Sequence, residues 1–276
     1  MRPQLIFNFL MIILTVFNSN VNAQMIRVTP GNFSNHGWTT EQVDINPPTV
    51  ITPNTPFIEI HCDPDNSPPF HRGSIYFSLP TTTHSTLRRI RLRSTKYGDT
   101  PLKKLSNYIH RNNVLMYSTY IRHNINESCI DLALQVDNDQ DGKVDFNLAF
   151  SPTIQHTLNN PIDNIPDFDK VGTGGWQEWN ASMGWWVVGV NEIPIPVALS
   201  QPFTLKEYNA LYPNARLINT TTGDHPGGAI RLTIGGGTNA ADFNDFKGYL
   251  DFFKISKTGN TGNYTTYDFK GKRCRN

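Results

Sequence analysis

The stretch Ile130 to Phe150, IDLALQVDNDQDGKVDFNLAF, decides the fold class. Apolar residues alternate with polar or small residues before and after its acidic centre: Ile130, Leu132, Leu134 and Val136 on one side, and Val144, Phe146, Leu148 and Phe150 on the other. Successive side chains of a strand point to opposite faces, so each half predicts a strand with one buried face. The Asp141-Gly142 pair between them is typical of a tight turn, and the whole stretch therefore predicts an antiparallel β-hairpin.

Short runs of β-branched and aromatic residues on either side of this hairpin predict further strands at 57–62, 73–79, 87–93, 113–123, 175–181, 184–190, 228–235, 248–256 and 264–270. One short helix is predicted at Leu205 to Leu211, because Thr204 and Glu207 have the spacing of a capping box. The regular alternation of strands and helices that marks parallel sheets is missing. The sequence therefore predicts an all-β fold, an antiparallel jelly-roll-like β-sandwich with one short helix.

The composition fits a globular protein of this class. The chain has 276 residues, with Lys+Arg 24 against Asp+Glu 23 and a formal net charge of +1. Such a balance argues against a general nucleic-acid binder, which needs a strongly basic domain or face. Aromatic residues make up 11% of the chain, enough apolar area to argue against disorder.

The N-terminal residues predict secretion. Arg2 precedes an apolar run from Leu5 to Phe17, and Val21-Asn22-Ala23 has the form of a cleavage site before Gln24. The run is too short to span a membrane, which takes about 20 apolar residues. We therefore expect a signal peptide at 1–23, a Pro-rich N-terminal arm at 24–56 that is either laid against the domain or partly mobile, a single β-sandwich domain at 57–276, and no membrane span.

Secretion gives the cysteines and some asparagines a specific meaning. Three cysteines permit at most one internal disulfide. We prefer Cys62–Cys274, which would tie the first strand of the domain to the end of the chain, although the sequence leaves the other pairings with Cys129 open. Sequons for N-glycosylation occur at Asn32, Asn126, Asn219 and Asn263, and at Asn180, whose aromatic surroundings leave less room for a glycan.

Tryptophans crowd one segment, 176–186, and make it the first candidate for ligand binding: Trp176, Trp179, Trp185 and Trp186. Residues 176 and 179, like residues 185 and 186, face opposite sides of a regular strand. About half of the group is therefore expected in the core and half on the other face. An exposed indole can stack on the apolar face of a sugar ring, whereas packing in the core is the alternative for every member.

The acidic turn of the hairpin is the candidate metal site. Asp137, Asp139, Asp141 and Asp145 stand at positions 1, 3, 5 and 9, with Gly142 at position 6, as in the front half of a calcium loop. Position 12 is Leu148 instead of the expected Glu, and the flanks read as strands. An ordinary acidic hairpin turn is the alternative to a Ca²⁺ site.

Other charged residues give weaker predictions. Arg89, Arg91 and Arg93 share one face of a strand, which would either meet an acidic glycan or protein or simply be solvated; we favour the solvated face. Motifs for nucleophilic, zinc or phosphate chemistry are missing. Glu178, beside the tryptophans, and the Asp224-His225 pair are the only residues that invite a test for catalysis, and a polar surface role is the alternative for each.

Several segments, taken in order, resemble secreted jelly-roll domains of the lectin-like and carbohydrate-binding type that are common in bacterial extracellular proteins. They are LMYSTY (115–120), VDNDQDGKVD (136–145), WQEWNASMGWW (176–186), YPNARL (212–217), IRLTIGGG (230–237), FKGYLDFFKI (246–255) and TTYDFK (265–270). Lys270 departs from the acidic residue that commonly ends the last segment. The resemblance implies a jelly-roll fold and an extracellular, glycan- or surface-associated role, and it implies no catalytic set.

These observations lead to a hypothesis with two alternatives. The leading one is a secreted, non-enzymatic β-sandwich protein that binds an extracellular glycan or matrix component, with Ca²⁺ as a possible stabilising ion. A polysaccharide-active enzyme, glycosidase or lyase, on the same fold is the runner-up. A structural or adhesion protein of the cell surface with no small-ligand site is the third.

Overall fold

A computed structural model describes residues 23–44, 57–61, 73–79, 88–106, 115–123, 128–159, 167–189, 195–220, 227–235, 245–256 and 263–270. The strands are β1 Gln24–Val28, β2 Trp38–Asp44, β3 Phe57–His61, β4 Ser74–Leu79, β5 Arg88–Ser94, β6 Leu115–His123, β7 Asp131–Asp137, β8 Phe146–Phe150, β9 Trp176–Asn180, β10 Val187–Val188, β11 Arg216–Leu217, β12 Ile230–Gly235, β13 Phe246–Ile255 and β14 Thr265–Phe269. The predicted all-β class is therefore confirmed.

The strands form two mostly antiparallel sheets. Sheet I runs β1-β14-β13-β4-β3, and β13 also pairs with β6, which pairs with β9. Sheet II runs β10-β8-β7-β12-β5-β2, and β11 pairs with β7. In the described residues, the single parallel pair is β1 with β14, at one edge of sheet I. The more specific jelly-roll connection remains a prediction.

The hairpin that decides the fold class forms as predicted, with β7 and β8 antiparallel and Leu134 opposite Leu148. Its inward residues lie in the core, whereas Asp131, Ala133, Asn147 and Ala149 keep some exposure. The helix Leu205–Leu211 also forms as predicted. Thr204 accepts from the Glu207 backbone N–H at 3.1 Å, and the Glu207 carboxylate accepts from the Thr204 backbone N–H at 2.7 Å. Local sequence rules suffice for both elements.

Residues 24–44, the first part of the predicted N-terminal arm, form strands within the two sheets. β1 pairs with β14 in sheet I, and β2 pairs with β5 in sheet II, so the segment supplies strands to both sheets. Trp38 is fully buried and packs edge-on against Phe253, Tyr267 and Phe269. Prolines and weak periodicity concealed these strands, because their partners lie far away in sequence.

A second local prediction is only partly right. The sequence predicts one strand over 184–190, whereas among the described residues of this run the strand spans Val187–Val188, which pairs with β8, and Trp186 forms an isolated β-bridge with Phe203. A 3-10 turn, Ala181–Met183, precedes it and separates it from β9. The Trp176-to-Trp186 segment therefore leaves sheet I at Asn180 and reaches sheet II at Val187.

Candidate functional site

Two of the predicted ligand-binding tryptophans belong to the core instead. Trp179 and Trp186 are fully buried. The indole N–H of Trp179 donates to Thr119 Oγ1 at 2.8 Å, and that of Trp186 donates to the Ala181 carbonyl at 2.8 Å. Their burial removes them from any ligand surface, as the strand geometry predicted for about half of the group.

The other two tryptophans are half-buried but lie apart. Trp185 is held near the 152–159 segment, where its indole N–H donates to the Asn159 carbonyl at 2.6 Å and its backbone N–H donates to Gln155. Trp176 is on β9, on the outer face of sheet I. The structure therefore does not bring the four tryptophans into one ligand site.

Trp176 instead ends a row of aromatic side chains that crosses four strands of sheet I. Trp176 on β9 is directly opposite Tyr120 on β6, Tyr120 is opposite Tyr249 on β13, and Tyr249 is opposite Tyr76 on β4. Ring centroids along this aromatic row are 5.7, 5.8 and 4.8 Å apart. These spacings are those of favourable aromatic pairs.

Exposure varies along the aromatic row. Tyr120 and Tyr249, in the middle, are only 5% and 2% exposed. Trp176 and Tyr76, at the two ends, are half-buried. The covered rings therefore support the two end rings, and the end rings are the parts that a ligand can reach.

A polar row lies beside the aromatic row on the same face. Glu178, two residues after Trp176 and exposed, is opposite Ser118 on β6, and Ser118 is opposite Asp251 on β13. The buried Ser118 hydroxyl has no hydrogen-bond partner among the described residues. Lys254 is also near Glu178: burial lowers the pKa of Lys254, and the Glu178 charge partly offsets this effect. Carboxylate, hydroxyl and ammonium groups thus border the aromatic rings.

Three of the four carboxylates in the acidic loop, residues 137–145, come together. Oxygen atoms of Asp137, Asp139 and Asp145 lie within 4.8 Å of one another. Asp141, the fourth predicted ligand, is in a different arrangement: its carboxylate accepts from the Lys143 backbone N–H at 2.8 Å and pairs with the Lys143 ammonium at 3.1 Å. The lysine side chain draws Asp141 away from the other three.

Backbone donors and one arginine hold the acidic loop in shape. Asp137, fully buried, accepts from the backbone N–H groups of Gln140 at 2.7 Å and Gly142 at 3.1 Å. Its Oδ2 atom also accepts from Arg216 at 3.0 Å. Asp145 accepts from the Asn138 backbone N–H at 2.6 Å. Arg216 therefore neutralises part of the acidic charge from one side.

The remaining charge in the loop is not balanced. Burial raises the pKa of Asp145, and the neighbouring carboxylates of Asp139, Asp137 and Asp141 raise it further. A cation beside three converging carboxylates would relieve this repulsion. Their oxygen donors match the hard ligands that Ca²⁺ prefers, so the residues present fit this ion.

The stripe of arginines on β5 is not the solvated face that we favoured. Arg91 is only 7% exposed, and Arg89 and Arg93 are half-buried. Arg231 on β12, directly opposite Arg93, joins them and is 3% exposed. We call these four residues the arginine cluster. In the sequence, Arg231 alternates with the apolar residues of its strand, which predicts only that it lies on the polar face. Its position beside Arg93 depends on the pairing of β5 with β12.

The predicted disulfide, Cys62–Cys274, and the predicted sequon at Asn126 lie outside the described residues, as do the signal peptide apart from Ala23 and the Asp224-His225 pair. Cys129 is a buried free thiol that lies 3.4 Å from Thr119 Oγ1. Burial raises its pKa to about 12. This thiol therefore stays protonated and unreactive at neutral pH.

The described sequons differ in how much their amide nitrogens are used. Asn219 donates to the Thr95 carbonyl at 2.6 Å and accepts from the Ala229 N–H at 2.7 Å, so a glycan there would displace the hydrogen bond to Thr95. Asn32 donates to the Arg27 carbonyl at 3.1 Å, and Asn180 donates to Met183 Sδ at 2.7 Å. Asn263 is half-buried and begins the segment that enters β14. N-glycosylation remains a prediction at all of these positions.

No protein-family model matches this chain, and no curated protein matches it either. Among the described residues, no helix is long and apolar enough to cross a membrane.

The sequence reasoning missed three members of the aromatic row: Tyr76, Tyr120 and Tyr249. Each occupies the outward position of a strand whose inward residues are apolar, which is the one signal that could have found them. Their order across the sheet depends on strand register, which no local pattern reveals.

Proposed function

We propose that this protein is a secreted, non-enzymatic β-sandwich protein that binds an extracellular glycan on the outer face of sheet I. The observation that carries the proposal is the in-register aromatic row, with half-buried rings at its two ends. A sugar ring offers an apolar C–H face and a rim of hydroxyl groups. Aromatic side chains next to hydrogen-bonding groups complement both features.

Trp176 and Glu178 are the central contact residues in this proposal. Tyr120 lies opposite Trp176 and fixes the position of its indole ring from behind. The exposed Glu178 carboxylate projects from the same face of β9 and accepts hydrogen bonds from sugar hydroxyls. Tyr76, at the far end of the aromatic row, provides a second contact for a longer chain.

A glycan array probed with residues 24–276 tests this function, followed by calorimetry with the best ligand. Trp176→Ala should weaken binding at least tenfold, because it removes the accessible indole. Trp185→Ala is the matched control, since Trp185 is also half-buried but lies outside the aromatic row. Glu178→Gln should give a smaller loss, about threefold to tenfold.

Two outcomes would contradict the glycan proposal. One is a folded protein that binds no glycan on the array. The other is an equal loss of affinity in the Trp176→Ala and Trp185→Ala variants. Turnover of a polysaccharide by the wild-type protein would favour the enzymatic alternative instead.

The structure gives the enzymatic alternative little support. Glycoside hydrolysis uses two carboxylates that flank the scissile bond. Glu178 is exposed, but Asp251, the nearest acidic residue of the polar row, is fully buried, and its Oδ1 atom accepts from the Phe269 backbone N–H at 3.1 Å. We therefore keep binding as the proposed function.

Calcium binding by the acidic loop is the second part of the proposal. Asp137, Asp139 and Asp145 would hold the ion, whose charge would offset the mutual repulsion of their carboxylates. The ion would stiffen the β7–β8 hairpin and takes no part in glycan contact, because the loop lies on sheet II.

Thermal melts with Ca²⁺ and with a chelator test the calcium site. A ligand at one hundred times its Kd adds about 2.7 kcal/mol to the free energy of unfolding, so Tm should rise by roughly 5–10 °C. Asp145→Asn should abolish this rise. Asp141→Asn should retain it, because Asp141 is paired with Lys143; an unchanged melt of the wild-type protein would contradict the site.

A further inference from the structure

The arginine cluster is a concentration of positive charge on the outer face of sheet II. Arg89, Arg91 and Arg93 alternate along β5, and Arg231 on β12 lies directly opposite Arg93. Glu41, on the neighbouring strand β2, is opposite Arg91. Its Oε2 atom lies 3.5 Å from Nη1 of Arg91 and 3.5 Å from Nη1 of Arg93. One carboxylate thus serves two arginines, and at longer range than a tight pair, whose N–O distance is about 2.8 Å.

The guanidinium groups are withdrawn from water despite their charge. Burial, together with repulsion from the neighbouring arginines, lowers the pKa of Arg231 to about 9 and that of Arg91 to about 10. Burial also lowers the pKa of Arg89. Attraction to Glu41 opposes the fall in all three. Among the described residues, Glu41 is the acidic group that opposes this fall in pKa, and it does so only in part.

The cluster also has unused hydrogen-bonding capacity. The Nε–H groups of Arg89 and Arg91 are buried and have no acceptor among the described residues. Buried polar groups in proteins are normally hydrogen-bonded, so donors of this kind call for an acceptor.

The surroundings keep the cluster in a fixed position. Gly227, at a φ of 139°, lies directly against the Arg93 guanidinium, and a Cβ atom there would overlap Arg93 Nη1 and Cζ. Arg89 and Arg93 are only half-buried, so the cluster keeps a side that faces solvent. Positively charged forks held in place next to an open side form a preorganised anion site.

We propose that the arginine cluster binds one oxyanion group, a sulfate, phosphate or carboxylate, of a ligand that approaches the outer face of sheet II. The planar guanidinium fork matches the oxygen geometry of all three groups. The site is separate from the aromatic row, which lies on the other sheet. The glycan proposal and the anion proposal can therefore be contradicted independently of each other.

Calorimetric titrations of the full mature chain with sodium sulfate, sodium phosphate and sodium acetate, at constant ionic strength set with sodium chloride, test the proposal. Saturable binding of at least one of the three anions is expected. The preferred anion identifies the source of the group: sulfate a sulfated ligand, phosphate a phosphorylated one and acetate a carboxylated one.

The variants Arg91→Gln and Arg89→Gln should each weaken this binding at least tenfold. Arg122→Gln is the matched control, because Arg122 is an exposed arginine on β6 of the other sheet, and it should leave the affinity unchanged. Arg89 is at the half-buried edge of the cluster. If Arg91→Gln fails to fold, the affinity of Arg89→Gln for the anion therefore tests the proposal.

Thermal melts give a second readout. At ten times its Kd, the preferred anion should raise Tm by roughly 3–6 °C in the wild-type protein but not in Arg89→Gln. Sulfate and phosphate stabilise most proteins to some degree, so the difference between wild type and variant is the decisive quantity. No saturable binding by the wild type, or equal binding by Arg89→Gln, would overturn the proposal.

Discussion

The outer faces of the two sheets both bury side chains, but the buried side chains differ in their chemistry. On the outer face of sheet I, the buried groups are the aromatic rings of Tyr120 and Tyr249, which lie between the half-buried ends of the aromatic row. On the outer face of sheet II, the buried groups are the guanidinium groups of Arg91 and Arg231, which belong to the arginine cluster. Burying rings is favourable by about 25 cal/mol for each Å² of apolar surface. Burying like charges costs free energy unless an opposite charge is present.

This difference separates stability from function. The aromatic row stabilises the sandwich by itself, so its presence has a structural explanation as well as a functional one. The arginine cluster gains no comparable apolar burial, and attraction to Glu41 only partly opposes the effect of burying Arg91 and Arg231. The following predictions test this contrast.

Truncating the aromatic row at its centre should have the largest effect. Tyr249→Ala removes a buried ring that contacts both Tyr76 and Tyr120, and it should lower the free energy of unfolding by roughly 3–4 kcal/mol. Urea denaturation measures the change. Tyr76→Ala, at the half-buried end, should cost about half as much. A cost below about 1 kcal/mol for Tyr249→Ala would show that the aromatic row does not stabilise sheet I.

The next largest effect concerns pH. Burial raises the pKa of Asp131 to about 7, against a smaller opposing effect of its hydrogen bond to Ser151. The folded state thus favours the protonated carboxyl. The contribution of Asp131 to stability is complete at pH values below the pKa of an aspartate in the unfolded chain, near 4. It is lost as the pH rises through the pKa in the folded protein, about 7. The loss should be roughly 3–4 kcal/mol between these limits.

Asp131→Asn checks this assignment. In wild type, the free energy of unfolding should decline between pH 4 and pH 8 as Asp131 ionises. In the variant this decline should be smaller, because the amide does not titrate. Denaturant titrations at each pH measure both profiles. Asp141→Asn, which changes an exposed carboxylate of the same hairpin, should leave the decline in place. An identical pH profile for Asp131→Asn and wild type would exclude Asp131 as the group that titrates.

Removing the anion from the arginine cluster should destabilise the protein. Glu41→Gln leaves Arg91 and Arg93 without this carboxylate, and it should lower the free energy of unfolding by about 1–2 kcal/mol at pH 7. Glu178→Gln, an exposed site on sheet I, should change it by less than about 0.5 kcal/mol. Equal effects of the two variants would mean that the charges of the cluster are screened.

Removing one positive charge from the arginine cluster should stabilise the protein, and this is the smallest of the expected changes. Arg231→Met keeps most of the side-chain volume and relieves the repulsion from Arg91, so the free energy of unfolding should rise by about 1 kcal/mol. Arg122→Met is the exposed control. A loss of more than about 1 kcal/mol in Arg231→Met would show that the guanidinium itself stabilises sheet II.

Local patterns in the sequence predicted those parts of the fold whose contacts are local. The β7–β8 hairpin and the helix Leu205–Leu211 follow from alternation and capping within about twenty residues. β1 and β2 could not be found this way, because their partners β14 and β5 are remote in sequence. Trp38 shows the difficulty best, since it is a central core residue in a segment that has no periodic pattern of its own.

The candidate sites divide along the same line. Three of the four carboxylates predicted as metal ligands lie together because they belong to one turn, whereas Asp141 forms an ion pair with its neighbour Lys143. The aromatic row and the arginine cluster combine residues from several strands. Their side chains meet only through cross-strand register, and that register is set by the packing of the whole sandwich.

The pairing of β1 with β14 has a consequence for how the protein is made. The two strands are joined residue by residue, from Gln24 opposite Thr265 to Val28 opposite Phe269. Trp38 likewise packs against rings supplied by β13 and β14. A ribosome must therefore finish almost the entire chain before the first strand finds its partner. Folding should be slow, with contacts between distant residues forming late, and the growing chain should stay open until its synthesis is nearly complete.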